Sequence, residues 1–149
     1  MKKEDLRRFR EMKKGEQNLR DNIAALELRR LSPRSPAYDS ERVQTSISGD
    51  VMPEQLAKID RLIDRYKKEL SAVLDMQEQF EQLIAPLTPR RKLIMRCYYV
   101  KGMIWEEVWQ EIHISTRHLM RIHGDVLDEL FPEEAKNGEK EGSDGRELA

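Results

Sequence analysis

Between Glu54 and Ala85, nine positions follow one another at steps of three and four without a break: Leu56, Ile59, Ile63, Tyr66, Leu70, Val73, Gln77, Phe80 and Ile84. A strand repeats every two residues, so this period belongs to one face of a long helix. Sustained over roughly four heptads, it predicts a helical hairpin or a coiled coil. Leu62, Leu74, Met76 and Leu83 widen the face beyond a two-residue seam. The seam Ile59, Ile63, Tyr66, Leu70, Val73, Phe80 and Ile84 is therefore expected to pack against another helix of the chain, a partner copy, or both. Gln77, polar in that seam, is of the kind that sets register in some coiled coils. Aromatic residues make up 6% and charged residues 37% of the chain, which favours helices over sheets, since strands draw on aromatic and β-branched residues.

The fold expected from this start is all-α. Residues 1–31 read as a basic N-terminal helix, with Leu19, Ile23 and Leu26 on one face of its second half. Leu6, Phe9 and Met12 give its first half only a short stripe, and Gly15 interrupts the run. Residues 32–53 contain two Ser-Pro steps and Gly49, so a long flexible connection is expected there, with Tyr38, Val43 and Ile47 able to pin it. Residues 54–85 form the heptad helix, and Pro86 stops it. Residues 86–131 follow as three short helices, and the acidic tail 132–149, without apolar periodicity, is expected to be disordered.

A net charge of −1 conceals a segregation of charge. Met1–Leu31 carries ten basic against six acidic residues, Leu87–His123 seven against three, and the chain from Gly124 onward nine acidic against three basic. Basic segments in a near-neutral chain still attract polyanions, because the local field governs encounter. The lone Cys97 excludes an intramolecular disulfide and suits a reducing compartment. No apolar run reaches membrane-spanning length, and the N-terminus lacks the apolar core of a signal peptide, so a cytoplasmic protein is expected. No enzyme is expected either. His113, His118 and His123 stand five apart, a spacing that does not share a helix face, so neither a metal nor another cofactor is implied. A Gly-rich phosphate loop and a His-Glu-x-x-His pair are both missing. Cys97 lies among apolar residues and reads as core.

The C-terminal segment carries the functional signal. Thr88 and Pro89 start a helix, Lys101-Gly102 ends it, Trp105–Ile112 forms a second, and Ser115 caps a third that runs to about Leu130. Two helices joined by a tight turn with a buried apolar residue are the ingredients of a helix-turn-helix. Its expected small core comprises Trp105, Val108, Ile114, Leu119, Ile122 and Val126. At ~100° per residue, Arg117 and Arg121 lie opposite that core, with Met120 and Gly124 beside them. Arginine pairs with guanine edges and with phosphates, and Thr116 at the helix start can donate to a phosphate. Arg90, Arg91 and Lys92 cluster at the start of the first helix, against its dipole, which points toward an external anion.

From Leu87 to Ser115 the chain resembles, without a gap, the promoter-reading C-terminal region of bacterial sigma factors. The resemblance rests on Leu87, Pro89-Arg90, Ile94-Met95, Tyr99, Gly102, Trp105-Glu106-Glu107-Val108 and Ile114-Ser115. Beyond Ser115, and in its basic helical N-terminal half, the chain is similar to phage and prophage late-gene transcriptional regulators of the RinA type. Three departures bear on geometry. Ile104 stands in place of a Ser or Thr cap. Trp109 replaces a small residue where the two helices approach, and is expected to splay them or demand compensating space. His113 replaces the turn glycine, at ~1 kcal/mol for a positive φ.

The resemblance implies a sequence-specific DNA-binding transcription regulator, phage or prophage encoded. Ser115–Leu127 would enter the major groove of double-stranded DNA, and the DNA-contacting residues would be Thr116, Arg117, Met120, Arg121, Gly124, Arg90, Arg91 and Lys92. Two other readings share these features: a phage terminase small subunit or similar DNA-binding assembly protein, and a sigma-like module that docks on RNA polymerase. A homo-oligomer through residues 54–85 is compatible with each.

Overall fold

The computed structural model describes residues 1–31 and 52–137. The connection expected at Ser32–Pro53, save its last two residues, and the tail beyond residue 137 lie outside the described residues. The protein is all-helical, and no strand occurs among the described residues. Its elements are α1 (Lys3–Lys14), α2 (Glu16–Leu31), α3 (Pro53–Ile84), α4 (Pro89–Met95), a π-helical turn (Arg96–Val100), α5 (Trp105–Ile112) and α6 (Thr116–Leu130). Residues 132–137 are helical as well, a departure from the disorder expected of the whole tail. Pro132 suits a first helical position, and Glu133 and Glu134 complement the positive end of the dipole. The Ala135 amide closes the turn onto the Phe131 carbonyl at 3.3 Å.

The chain divides into two compact units: Met1–Lys14 with Asp75–Ala149, and Gly15–Leu74. This division corrects the single N-terminal helix 1–31 expected from the sequence. Gly15 separates α1 from α2, and the two helices serve different units. The heptad helix α3 likewise contributes its first part to one unit and its last part to the other.

In the unit Gly15–Leu74, α2 and α3 form an antiparallel hairpin. Glu27 pairs with Lys67 at 3.2 Å and Arg30 with Asp60 at 2.6 Å, so ascending residues of α2 meet descending residues of α3. Ile23, Ile59, Ile63 and Val73 are buried. Tyr66 and Leu70 are half-buried. These exposed ion pairs contribute little, and burial of the isoleucines holds the hairpin. Leu62 and Leu74, expected to widen the packed face, are instead exposed.

The other unit has two apolar clusters. One joins Leu6 and Phe9 of α1 to Phe80 and Ile84 of α3, Leu87, Met95, Tyr99 and Val126. Phe9 and Phe80 pack at 5.1 Å between ring centroids, and Phe80 meets Tyr99 at 5.7 Å. The second cluster is Ile94, Cys97, Val108, Ile114 and Leu119, which binds α4, α5 and α6 together. Every seam residue of the long helix is thus buried or half-buried within a single chain.

Candidate nucleic-acid interface

Local chemistry fixes the ends of the three C-terminal helices. The Thr88 hydroxyl accepts the Arg91 amide at 3.5 Å, and Pro89 occupies the first turn of α4. The Ser115 hydroxyl accepts the His118 amide at 3.3 Å and starts α6. Ile104 precedes α5 without a side-chain cap, as its chemistry requires. His113 ends α5 in the left-handed region at φ 62°, its amide bonded to the Trp109 carbonyl, and the strained position turns the chain sharply into Ile114.

Ile114 and Val108 are buried with Leu119 in the small core, while Trp105 and Ile122 are half-buried against it. Val126 is buried too, but among α1 and α3 residues rather than in the core of the α5–α6 pair. Trp109 does not wedge the helices apart. It is 48% exposed, so the side chain expected to splay them has turned away.

The outward face of α6 gathers the expected contact residues. Arg117 and Arg121 are exposed, Met120 is 58% exposed, and Thr116 is half-buried at the helix start. A side chain added at Gly124 would meet nothing within 4 Å, so the backbone there is open to close approach. Neither Arg117 nor Arg121 has an ion-pair partner among the described residues. Other cations of the same unit do: Arg91 pairs with Glu129 at 2.6 Å, Arg96 with Glu81 at 2.6 Å, and Lys101 with Glu111 at 3.4 Å. Arg96 holds the Glu81 carboxyl below its usual range through their hydrogen bonds, with burial acting against it and the charges of Arg96 and Lys92 adding to it. The expected Arg90–Arg91–Lys92 cluster is therefore divided. Arg90 is exposed, Lys92 is half-buried and lends its charge to Glu81, and Arg91 is tied to α6.

Sequence reasoning missed the role of α1 and the π turn. The Arg10 guanidinium donates to the carbonyls of Tyr98 at 3.0 Å, Gly102 at 3.4 Å and Met103 at 3.2 Å, and lies 4.2 Å over the Tyr98 ring. These carbonyls belong to the turn and the loop after it, where the widened Arg96–Val100 coil ends and Gly102 takes φ 68°. Tyr98 stacks flat on Trp105 at 4.2 Å, so the turn braces the start of α5. The signal for α1 was Leu6-x-x-Phe9, whose two residues are both essentially inaccessible.

His123 is half-buried, and the Tyr99 hydroxyl lies 2.7 Å from its Nε2. Burial lowers the His123 pKa to about 4, aided by the Lys3 charge, and burial raises that of Tyr99, so both are neutral near pH 7. Burial likewise raises the Cys97 thiol, which sits in the core as a small apolar residue. No group of metal-ligating side chains occurs among the described residues. No helix among them is long and apolar enough to cross a membrane. Comparison with protein-family models, curated proteins and solved structures found no match for this chain.

Proposed function

We propose that the protein is a sequence-specific DNA-binding transcription regulator, with α5, the His113-Ile114 turn and α6 acting as a helix-turn-helix. The observation that carries this reading is the outward face of α6. Two exposed arginines, one turn apart and without carboxylate partners among the described residues, stand beside an open glycine on a helix whose opposite side is buried. Unpaired guanidinium groups on a braced helix suit base edges or phosphates, whereas Arg91, Arg96 and Lys101 already pair with carboxylates of the chain. Arg90 and the amides at the start of α6 are the proposed backbone contacts. The resemblance of Leu87–Ser115 to the sigma-factor promoter-reading region supports the same function. A phage or prophage origin rests on the likeness to RinA-type regulators alone.

Selection of bound fragments from random duplexes by the full chain tests this reading. An enriched motif is expected, and half-sites about one helical turn apart would identify a symmetric dimer on DNA. Recovery of unselected sequence would contradict sequence-specific reading. It would favour a packaging protein if terminase subunits bind, or polymerase docking if polymerase does.

A further inference from the structure

A cleft of about 460 Å³ opens between α1 and α6, lined by Lys3 and Arg7 on one side and by Tyr98, Tyr99, His123 and Leu127 on the other. It lies within the Met1–Lys14 and Asp75–Ala149 unit, and its volume suits a small molecule. Lys3 and Arg7 are exposed and have no ion-pair or hydrogen-bond partner among the described residues. Glu11 also lines the cleft, but its carboxylate is engaged by Lys14 at 3.1 Å.

The Tyr99–His123 pair adds a polar contact that does not depend on the tautomer. With both groups neutral, the pair holds one O–H and one N–H, and their mutual bond uses one of these two hydrogens. If the hydroxyl donates to Nε2, the imidazole Nδ1–H is left over. If Nε2–H donates instead, the phenol hydrogen is left over. No further hydrogen-bond partner for either side chain exists among the described residues, so the pair keeps one spare donor, and both residues line the same cleft as Lys3 and Arg7.

We propose that this cleft binds the oxyanion group of a small molecule, a phosphate or a carboxylate, held by Lys3, Arg7 and the spare donor of the Tyr99–His123 pair. Leu127, half-buried in the lining, offers apolar surface for the rest of the ligand, since the Tyr98 ring is already engaged by Arg10 and Trp105. Duplex DNA on the arginine face would not fill the cleft. At ~100° per residue, His123 and Leu127 point about 120° round α6 from Arg117 and Arg121. The inference stands apart from DNA reading, and each can fail without the other.

The test follows the His123 ring resonances of the full chain by NMR while inorganic phosphate, and separately citrate, is added at constant ionic strength. A saturable shift is expected with at least one of them, together with a higher His123 titration midpoint in its presence, because a bound anion favours the imidazolium. Lys3→Gln and Arg7→Gln, both at exposed positions, should each weaken that saturation by about tenfold, as loss of one charge-assisted contact does. A role for these cations in folding alone would leave the phosphate response of the folded variants unchanged. Absence of saturation, equal affinity in the variants, or saturation by a DNA duplex but by neither probe would each overturn the proposal.

Discussion

Arg10 secures the π turn from outside the helix that contains it, reaching the Tyr98 carbonyl in the turn and the Gly102 and Met103 carbonyls in the loop after it. Hydrogen bonds from a charged donor contribute about 1.5–3 kcal/mol each in favourable settings, and these three share one half-buried group. Arg10→Ala is expected to destabilise the protein by about 2 kcal/mol, read as a lower denaturation midpoint. Arg10→Lys should recover little, because an ammonium cannot span three acceptors as a planar fork does. A wild-type midpoint for Arg10→Ala would remove this contact from the fold's support. His123 supplies a second residue-scale prediction, on pH. Its folded pKa of about 4 lies below the ordinary 6.5, so between these values the unfolded chain binds a proton that the folded chain refuses. Stability should therefore fall as pH drops from about 6.5 to 4, and level off with respect to this group below that. A His123→Gln variant, lacking the titrating ring, should show a flatter stability–pH curve across the same window, and an unchanged slope would assign the effect elsewhere. Glu81, held low by Arg96, loses its contribution only as pH falls further through its own depressed pKa.

At the scale of elements, periodicity revealed the helices but not their partners. The three-and-four spacing of α3 is a property of one face and was legible from Leu56 to Ile84. What covers that face depends on chain path, which spacing does not encode. Ile59 and Ile63 sit in a hairpin with α2, while Phe80 packs on Phe9 of α1. Gly15 marked the interruption between α1 and α2, yet the assignment of α1 to the C-terminal unit rested on just two buried residues, Leu6 and Phe9. A two-residue stripe is too short to distinguish from chance in a helix so rich in lysine and arginine. The π turn was illegible for a different reason. Arg96–Val100 holds no proline or glycine to mark a change of coil, and the wider coil is bonded by Arg10, 88 residues away from Tyr98 in sequence. Trp109 was misjudged because the expected clash assumed that its ring would point between the helices. Phe9→Ala is the element-scale test. Truncating a fully buried phenylalanine costs about 3–5 kcal/mol, and the loss should appear in the unit containing α6. Hydrogen exchange at Ile94, Val108 and Leu119 would report it, and unchanged protection there would mean that α1 is dispensable to the module.

For the whole molecule, the expected all-α class matches the structure, and Arg117, Met120 and Arg121 are exposed on the side of α6 opposite Leu119, while Thr116 at the helix start is half-buried. Legibility was high there because caps, a turn and a sharply amphipathic helix lie within one continuous stretch of sequence. It was lower at Arg91, where the ion pair with Glu129 depends on α4 lying against α6. Within the chain, Ile59, Ile63, Val73, Phe80 and Ile84 of the heptad seam are buried, while Leu56, Tyr66, Leu70 and Gln77 are half-buried. Leu119→Ala should lower stability by about 2–5 kcal/mol without altering which bases are preferred, since that side chain is fully buried.

Arg117→Ala and Arg121→Ala, compared with the wild-type chain on the selected duplex and on random duplex across a range of salt, test DNA reading most directly. If one arginine contacts a guanine edge, its loss should weaken binding to the selected site by about 1–3 kcal/mol and relax preference at one base position. If it contacts a phosphate, affinity should fall alike on both duplexes, with the salt slope smaller by about one unit. Full affinity for both duplexes in both folded variants would contradict α6 as the reading helix.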